Sequence, residues 1–536
     1  YSIGDTTANI IGGLSGNDSL IIMINDFQSC NICFIDLNNS HVGFINNNII
    51  GAIRFYINNS KLTSVYGIYS GSGLSASRPQ TIYHNQIGNL TTSNSMQLNT
   101  TTIPVDLIGI FAQSYGAGNL TIQNNTIANL SHNTSSSLSS SRVCGIQVLP
   151  HSWSTNYILD LTISNNTICK LSSTGQGGGT GTSASLIGIL NKYQPTSSLT
   201  ITKNTIYSLQ NTNSLAAVWV TGISNTDTTS LTGNIQKNFI HHISSSLTTT
   251  SAYVAGIYHE GKNTSYANNM IQLGFHPDGS VITNNYNLIG IYDNGKQANI
   301  CFNTIYIGGS EVVAGSSLSA CIKRATNTNT DNYRNNILQN NRASGSKTIN
   351  HYCVDYHSVT NLTSDYNIFY PSGAGSYLGY IATVNYQSLS PYQSALGLDL
   401  HSGLGNANLV LPGGTVTTVD LHVASPTAIE ASGENISGIT DDFDDQTRSS
   451  LTPVDIGADA GNFTLTDVIN PQVSFTPLGN GNSNNRVLNN FATITDNAAI
   501  AGGGNAPRLY YKKSTDNNVF GDNNSSANGW KYVSGT

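Results

Sequence analysis

The feature that most constrains this chain is a short signature, Asn-x-Ile, which returns every 31 to 41 residues through the first two thirds of the 536-residue sequence. The asparagines of nine copies are Asn47, Asn85, Asn125, Asn166, Asn204, Asn238, Asn269, Asn303 and Asn335. A tenth copy keeps Ile368 but has Tyr366 at the asparagine position. Periods of about 20 to 50 residues are typical of solenoids, propellers and arrays, in which a repeat buries its apolar face only by stacking on its neighbours.

A second signature, Gly-Ile, alternates with the first along the chain. Its glycines are Gly67, Gly109, Gly145, Gly188, Gly222, Gly256 and Gly290, and Cys321-Ile322 and Cys353-Val354 follow at the expected places. Short alternating β-branched stretches flank the asparagines, as in residues 119–130, and no window keeps a helical period. Each repeat is therefore predicted to contain strands joined by tight corners.

The recurrence of asparagine at one offset has a physical explanation. Asparagine tolerates the left-handed backbone conformation better than other non-glycine residues, so it can make a sharp corner between strands. If the same corner recurs in every coil, the amides stack about 4.8 Å apart and bond the coils above and below. We therefore predict an all-β chain whose main domain is a parallel β-helix of about ten coils with an asparagine ladder. Propellers and leucine-rich repeats fit the spacing less well.

Composition excludes several classes of protein. Only 9% of residues are charged, with 28 acidic and 21 basic groups and a net charge of -7, which argues against a nucleic-acid partner. No apolar run approaches the roughly 20 residues of a membrane-spanning helix. Seven cysteines are too dilute for a disulfide scaffold, and Cys30 and Cys33 form a lone CxxC, so buried apolar fillers are the favoured interpretation. Because Tyr1 follows no leader, we expect a mature or excised piece of a longer chain.

Residues 420–461, DLHVASPTAIEASGENISGITDDFDDQTRSSLTPVDIGADAG, resemble the closing coil of a known family. This family is the right-handed parallel β-helices of large secreted and surface proteins of Bacteroidetes-type bacteria. The matching segments are 420–422, 425–429, 442–448 and 455–458. Asp445 and Ala460 depart from the glycine and glutamate that are usual in the family. The resemblance implies a right-handed β-helix over 1–460 with a C-terminal cap region over about 370–460. It also implies type IX secretion and surface-anchoring machinery as partners.

After a short link, residues 469–536 show alternating strand patterns with turn-rich Asn and Gly between them. They resemble the immunoglobulin- or fibronectin-like sandwich that follows such caps. A sandwich needs about 100 residues, so this segment is expected to be the N-terminal part of a truncated domain.

An enzyme on a β-helix works on the outer face of a strand stack, where it needs several carboxylates, or a base with calcium-binding acids, a few ångströms apart. If each Ile of Gly-Ile points inward, the next residue points out. That stripe is Tyr69, Phe111, Gln147, Leu190, Ser224, Tyr258, Tyr292, Lys323 and Asp355, with one acid and one base. A lone Asn225-Thr226-Asp227 has no paired acids nearby. The sequence therefore favours a protein that is not an enzyme.

The stripe offers a candidate ligand site instead. It comprises Tyr258, His259, Tyr292, Lys323, Arg324 and Asp355. Aromatic faces at coil spacing can stack on sugar rings while the charged groups orient hydroxyls or acidic substituents. The alternative is that tyrosine, with 27 copies, is simply a common exposed β-former.

Four aspartates, Asp441, Asp442, Asp444 and Asp445, form a candidate calcium site, since hard cations prefer several oxygens from one loop. An equal alternative is a cap turn whose acids bond backbone amides and pair with Arg448.

Two histidine groups offer weaker metal candidates. They are His241-His242 and the set His351, Asp355 and His357. For both, solvated coil residues are the preferred interpretation.

Together these patterns predict an extracellular or cell-surface structural and adhesive module. In this interpretation a β-helical stalk, part of a larger secreted protein, presents loops to polysaccharide or other surface components. One alternative is a polysaccharide lyase or glycoside hydrolase acting on the outer face, and another is a subunit of an extracellular assembly.

Overall fold

The computed structural model describes residues 2–534 except for short gaps. The gaps are 4–8, 14–19, 25–29, 39–42, 58–61, 72, 76–77, 101–102, 135–140, 151–157, 177–178, 180, 194, 215–216, 227–232, 248–251, 312–316, 326–328, 345–350, 452, 479–487, 501, 503–505, 518 and 520–528. The described chain is nearly all β and forms a β-solenoid of about nine turns built from three parallel sheets. In each coil the chain runs through the first sheet, turns a sharp corner, continues in the second sheet and then crosses to the third.

The strands of the first sheet precede the asparagine corner. They are Ser2–Ile3, Phe44–Asn46, Gln80–Tyr83, Leu120–Gln123, Asp160–Ser164, Ser198–Thr202, Gly233–Gln236, Lys262–Ala267, Lys296–Cys301, Asp331–Arg334 and Leu362–Asp365. The strands of the second sheet follow the corner. They are Ile10–Gly12, Leu20–Ile24, Ile49–Gly51, Ile53–Ile57, Gln86–Gly88, Met96–Thr100, Thr126–Ala128, Leu130–Thr134, Thr167–Ser173, Thr205–Asn211, Phe239–Ser245, Met270–Leu273, Thr304–Ile307, Ile337–Asn340, Ile368–Pro371 and Gly403–Leu404.

The third sheet carries the Gly-Ile signature. Its strands are Cys30–Asn38, Leu62–Gly71, Asp106–Ala112, Val143–Val148, Leu186–Asn191, Trp219–Asn225, Tyr253–His259, Asn287–Asp293, Ser319–Arg324, His351–Tyr356, Ser376–Ile381 and Val384–Tyr386, of which the last pairs antiparallel. Smaller elements are the parallel pair Ser310–Glu311 and Ala343–Ser344, the antiparallel pair Leu409–Leu411 and Asp420–Val423, the α-helix Leu389–Leu396, and the 3₁₀ turns Gly181–Ser183 and Arg448–Ser450.

The two repeat signatures meet inside the solenoid. A Cβ added at Gly109 in the third sheet would lie 2.7 Å from Ile127 Cγ2 of the second sheet and 2.7 Å from the carbonyl oxygen of Gly145. Close packing of this kind leaves no room for a side chain. The glycine of one signature therefore makes space for the isoleucine of the other, and both Ile127 and Ile110 lie in the apolar core.

An asparagine ladder runs along the corner between the first and second sheets. The amide Nδ2 of each ladder residue donates to Oδ1 of the asparagine in the following coil at 2.7–3.0 Å. The members are Asn48, Asn85, Asn125, Asn166, Asn204, Asn238, Asn269, Asn303, Asn336 and Asn367, with Asn9 donating to Asn48. Most Nδ2 groups also donate to the preceding coil, as Asn125 does to the Ile82 carbonyl at 2.9 Å. These bonds leave the buried amides satisfied and link each coil to both neighbours.

The residue before each ladder asparagine makes the bend. All ten have φ between 54° and 59° and form what we call the corner column: Asn47, His84, Asn124, Asn165, Lys203, Lys237, Asn268, Phe302, Asn335 and Tyr366. The left-handed conformation predicted for the ladder asparagine thus belongs to its predecessor.

The predicted ladder is wrong in register at two positions and at the tenth copy. Asn48 and Asn336 occupy the ladder in place of Asn47 and Asn335, and Asn367 completes it although Tyr366 was expected to interrupt it. The reason is that two apolar residues follow the corner in these coils, and the second of them, such as Leu338 or Phe369, belongs to the central core.

The C-terminal end of the ladder is closed by a buried carboxylate. Asp399 Oδ1 accepts Asn367 Nδ2 at 2.9 Å and Ser402 Oγ at 2.6 Å. Its Oδ2 accepts Ser364 Oγ at 2.8 Å and the hydroxyl of Tyr392, which lies on the single α-helix of the described chain, at 2.9 Å. Burial raises the pKa of Asp399. The carboxyl group of Asp399 thus accepts the last amide donor of the ladder together with three hydroxyl groups.

Residues 434–451 and 453–458, which we call the strap, fold back along part of the corner column. Asn335 exchanges two hydrogen bonds with the backbone of Glu434, and Arg448 lies 4.1 Å from the ring centroid of Phe302. Gly457, at φ 98°, lets the strap backbone approach Ile337. The cap region thus covers the outside of the solenoid at this corner.

The chain divides into two units, Tyr1–Thr466 and Asp467–Thr536. The second unit contains two antiparallel pairs, Gln472–Phe475 with Ala492–Thr495 and Arg508–Tyr511 with Lys531–Ser534. The partial sandwich and the right-handed sense of the solenoid stay predictions. No helix in the described part of the chain is long and apolar enough to span a membrane.

Candidate functional site

The outer face of the third sheet presents two in-register columns of side chains. The first contains the predicted stripe and extends it at both ends: Asp36, Tyr69, Phe111, Gln147, Leu190, Ser224, Tyr258, Tyr292, Lys323, Asp355 and Tyr380. The second is Cys33, Tyr66, Ile108, Cys144, Ile187, Thr221, Ala255, Ile289, Ala320, Tyr352 and Tyr377. Because in-register parallel strands bring equivalent residues together, the face is continuous from coil to coil.

Aromatic rings form three groups along this face. At the N-terminal end, Phe111 stacks on Tyr66 and Tyr69, with ring centroids 4.8 and 5.4 Å apart. At the C-terminal end, Tyr352 packs against Tyr377 and Tyr380 at 6.0 and 5.4 Å. Phe111, Tyr66 and Tyr352 are buried, so the partly exposed rings of these two groups are Tyr69, Tyr377 and Tyr380.

The central group is built around Trp219. Its ring stacks on Tyr253 with centroids 4.3 Å apart and on Tyr292 at 5.9 Å, and it meets Tyr258 edge-on at 5.8 Å. Tyr258 is fully buried, whereas Tyr253 and Tyr292 are partly exposed. Tyr258 therefore supports the rings around it, and Tyr253 and Tyr292 are the rings that can contact a ligand.

A local insertion explains why Tyr258 is buried. The 3₁₀ turn Gly181–Ser183 lies over it, so that a Cβ at Gly181 would come within 3.0 Å of Tyr258 Cε1. The tyrosine hydroxyl accepts a hydrogen bond from Asn294 Nδ2 at 3.1 Å.

The charged part of the site follows Tyr292 in the next two coils. Lys323 and Asp355 are register neighbours, and Lys323 Nζ forms an ion pair with Asp355 Oδ2. The side chains are 21% and 5% exposed, so the ammonium is the accessible member of the pair. Tyr292, Lys323 and Asp355 thus lie in one row of three coils.

His259 and Arg324 do not belong to this outer face, and their assignment to it was wrong. Both are fully buried, because successive residues of a strand point to opposite sides of the sheet. His259 Nδ1 lies 2.7 Å from the hydroxyl of Tyr266, and burial lowers the pKa of His259 to about 4. Arg324 Nε donates to Asp331 Oδ2 at 2.8 Å.

These two residues belong to a buried polar network inside the solenoid. Arg324 also donates to the carbonyls of Ser358 and Thr360, and Asp293 accepts the hydroxyl of Tyr333 and the amide of Gly295. Burial raises the pKa of Asp293. The charged groups of Arg324 and Asp293 are hydrogen-bonded within the core. His259 Nε2 has no hydrogen-bond partner among the described residues and lies 3.8 Å from Asp293 Oδ1. Because the network lies inside the solenoid, it does not face a ligand on the outer side of the sheet.

In the cap, the four predicted calcium ligands are arranged as a turn. Asp442 is buried and accepts the amides of Asp444, Gln446 and Ala460 at 3.0, 2.7 and 3.2 Å. Asp441 and Asp445 both bind Lys237 Nζ at 2.6 Å. A lysine ammonium therefore lies between two of the acids, and this geometry corresponds to the cap-turn alternative.

Arg448 does not pair with the aspartate carboxylates as that alternative assumed. Its guanidinium donates instead to the carbonyls of Asp441 and Gly457 and to Asn268 Oδ1.

The histidine candidates are arranged differently from the prediction. His241 and His242 face each other with Nδ1 atoms 2.9 Å apart and are buried, so the solvated interpretation of this pair was wrong. Burial lowers the pKa of His241 to about 3. His351 is also fully buried, so the solvated interpretation was wrong for it, whereas His357 is exposed as expected. His351 points into the core while Asp355 points outward, so they do not share a site. Asp227 lies outside the described residues.

Sequence reasoning missed two features. One is a groove with many polar lining residues that crosses the second sheet. It is lined by residues that include Asn94, Asn129, Lys170, Gln210, His276 and Asp278. Separately, His422, Asp444 and Asp459 converge in the cap, and only Asp444 was a predicted site residue. The cysteines, by contrast, were predicted correctly: five of those described are buried and free, as expected of apolar fillers.

None of the known protein families, curated proteins and solved structures with which the chain was compared matches it. The function of the outer face is therefore argued from its own geometry.

Proposed function

We propose that this chain is a non-enzymatic module of an extracellular or cell-surface protein, and that it binds polysaccharide along the outer face of the third sheet. The observation that carries the proposal is the row of Tyr292, Lys323 and Asp355. Beside it lies Tyr253, which like Tyr292 is partly exposed and stacked against Trp219.

The chemistry of the row suits a sugar chain. Partly exposed aromatic rings offer flat apolar faces for stacking on pyranose rings, while a neighbouring ammonium and carboxylate can bond hydroxyls or acidic substituents. Because Trp219 and Tyr258 hold the exposed rings in place, little conformational entropy is lost when a ligand binds. Partly exposed side chains follow one another along one direction from Tyr253 through Tyr292 and Lys323 to Tyr380, as a polymeric ligand requires.

The row does not have the geometry of a glycoside hydrolase. Such enzymes need two carboxyl groups about 5–10 Å apart. Among the described residues of the two outer columns, the acids are Asp36 and Asp355, which are many coils apart, and Asp355 is paired with Lys323. The extracellular location and the adhesive role rest on the resemblance of residues 420–461 and on the low charge of the chain.

A binding and degradation assay on the purified chain tests this proposal. Neutral and acidic polysaccharides are screened by affinity electrophoresis, and the same mixtures are followed for new reducing ends and for unsaturated products. We expect binding without turnover. Tyr292→Ala should weaken binding about tenfold, or roughly 1.4 kcal/mol, through loss of one stacking surface.

The matched control is Tyr56→Ala, which removes an exposed tyrosine from the second sheet, away from the row. It should leave binding unchanged. Equal losses in the two variants would contradict the location of the site, and release of reducing ends or unsaturated products would contradict the non-enzymatic assignment.

A further inference from the structure

Three separate segments of the cap meet at one histidine. His422 lies on the strand Asp420–Val423, Asp444 lies in the strap, and Asp459 follows the strap. One ligand atom from each of the three side chains lies within 4.8 Å of the others. This cluster is separate from the Lys237 ammonium that occupies the space between Asp441 and Asp445.

Both ring nitrogens of His422 face carboxylate oxygens. Nδ1 is 2.6 Å from Asp420 Oδ1, and Nε2 is 2.9 Å from Asp444 Oδ2. A neutral imidazole has only one N–H, so it can donate to one of these acids while the other nitrogen presents a lone pair to a negative oxygen. The arrangement therefore calls for a cation at Nε2, either a second proton or a metal ion.

The surrounding contacts hold the three side chains in place. Asp420 also accepts the His422 amide at 2.9 Å, which fixes the ring in the orientation that leaves Nε2 towards Asp444. Asp459 is 6% exposed, and its Oδ2 accepts the amide of Val423 at 2.7 Å. Asp442 accepts the Asp444 amide at 3.0 Å, and the ring of Phe443 packs edge-on against His422 at 5.8 Å.

We propose that His422 Nε2, Asp444 and Asp459 bind one divalent transition-metal ion, for which zinc is the probe. A carboxylate behind a ligating imidazole is the usual second contact of such histidines, and Asp420 supplies it. One imidazole and two carboxylates are suitable ligands for zinc, with water completing the coordination. Calcium needs about six to eight oxygens and is not suited to this set.

The ion would connect the strand Asp420–Val423, the strap and Asp459, which follows the strap. Since binding to the folded state alone adds to stability by mass action, zinc should raise the unfolding temperature of the unit Tyr1–Thr466, which contains the cluster. It would do so by joining the strap to the strand Asp420–Val423.

Isothermal titration of the metal-stripped chain with zinc chloride tests the proposal. We expect one equivalent bound, loss of this binding in His422→Ala and in Asp459→Asn, and an affinity about 10 to 100 times weaker in Asp420→Asn. Asp444→Asn, at a side chain that is 43% exposed, gives a variant that should keep the fold while losing the site. Cobalt in place of zinc should give the absorption spectrum of a low-coordinate site.

The matched control is His401→Ala. His401 is 42% exposed and its Nδ1 lies 2.8 Å from Asp365 Oδ2, but within the described residues no second carboxylate forms an ion pair with its ring. This variant should bind zinc as the wild type does. Absence of stoichiometric binding, or equal binding by the wild type and Asp444→Asn, would overturn the proposal. Polysaccharide binding to the third sheet is measured separately and should not depend on zinc.

Discussion

The corner column is covered in its C-terminal half and exposed in its N-terminal half. Lys237, Asn268, Phe302 and Asn335 are buried under the cap, whereas His84, Asn124 and Asn165 are exposed to solvent. The backbone is the same throughout, with φ between 54° and 59°. The bend is therefore a property of each coil, and the strap decides only what the side chain at the bend contacts.

The difference does not fix the residue type at the bend, since asparagine occurs at covered corners such as Asn268 and at exposed corners such as Asn124. In the exposed coils of Asn124 and Asn165 the bend is asparagine, which needs no partner to adopt a positive φ. In the covered coils, contacts with the strap offset the cost of placing Phe302 and Lys237 at a positive φ. His84 adopts the same backbone conformation at an exposed corner. The predictions below compare one covered position with one exposed position.

The largest effect is expected at Phe302, which is fully buried beneath Arg448 and packs in a cluster with Val454. Phe302→Ala should lower the free energy of unfolding by about 3–5 kcal/mol, measured by denaturant unfolding. His84→Ala changes an exposed corner residue of the same backbone conformation and should cost under about 0.5 kcal/mol. Equal losses would mean that the strap does not pack as described.

A smaller effect is expected for Asn268→Gly. Asn268 Oδ1 accepts Arg448 Nη2 at 2.8 Å, and its Nδ2 donates to the Asp441 carbonyl at 2.9 Å. Glycine keeps the positive φ, so the loss of about 2–3 kcal/mol should report only these buried bonds. Asn124→Gly, at an exposed corner, should stay within about 0.5 kcal/mol in the same unfolding measurement. A large effect in the control would show that the ladder itself was disturbed.

The N-terminal and C-terminal coils of the solenoid should lose stability to a similar extent at low pH, because the strap lies outside their interior. Burial lowers the pKa of His132 to about 4, and burial together with Arg342 lowers that of His351 to about 3. The unfolded chain then binds protons that the folded chain does not, so stability is full above about pH 6.5 and falls below it.

Each histidine should contribute a loss of about 1.4 kcal/mol per pH unit below pH 6.5. The test is the unfolding free energy of the wild type against His132→Gln and His351→Gln between pH 7 and pH 5. Both variants should show a shallower fall than the wild type. If only one of the two variants showed a shallower fall in unfolding free energy than the wild type, the interiors of the N-terminal and C-terminal coils would differ in their response to acid.

The smallest effect is expected for the two lysines of the corner column. Lys237 is 3% exposed and binds both Asp441 and Asp445, whereas Lys203 is 39% exposed and binds Asp445 alone. Lys237→Met should lower the unfolding temperature by an amount equivalent to about 1–2 kcal/mol, and Lys203→Met by under 1 kcal/mol. The first effect should also persist better in high salt, since buried pairs are screened less.

Much of the solenoid could be predicted because its determinants are local and repeated. The period, the alternation of β-branched residues and the asparagine at the corner led to the parallel coils, to the ladder at positions such as Asn125 and Asn204, and to the outward row of Tyr258, Tyr292, Lys323 and Asp355. Where two asparagines are adjacent, as at Asn47-Asn48, the spacing of the repeat could not determine which of the two joins the ladder.

The candidate sites were harder to predict because they depend on long-range contacts. His259 follows Tyr258 in sequence and therefore points to the opposite side of the sheet. The sequence does not show that this side is filled by residues such as Tyr266, so His259 was assigned to the wrong face. The aromatic group around Trp219 and the metal cluster at His422 join side chains from different coils and segments.

What the sequence determined by itself was the repeating coil, because the chirality of the corner and the alternation of strand residues act within a few neighbouring positions. What only the tertiary structure decided was which corners are covered, which polar groups are buried and which acids meet. Lys237 contacts Asp441, 204 residues away, because both the return of the strap and the stacking of the coils place them together. No pattern within one repeat contains that information.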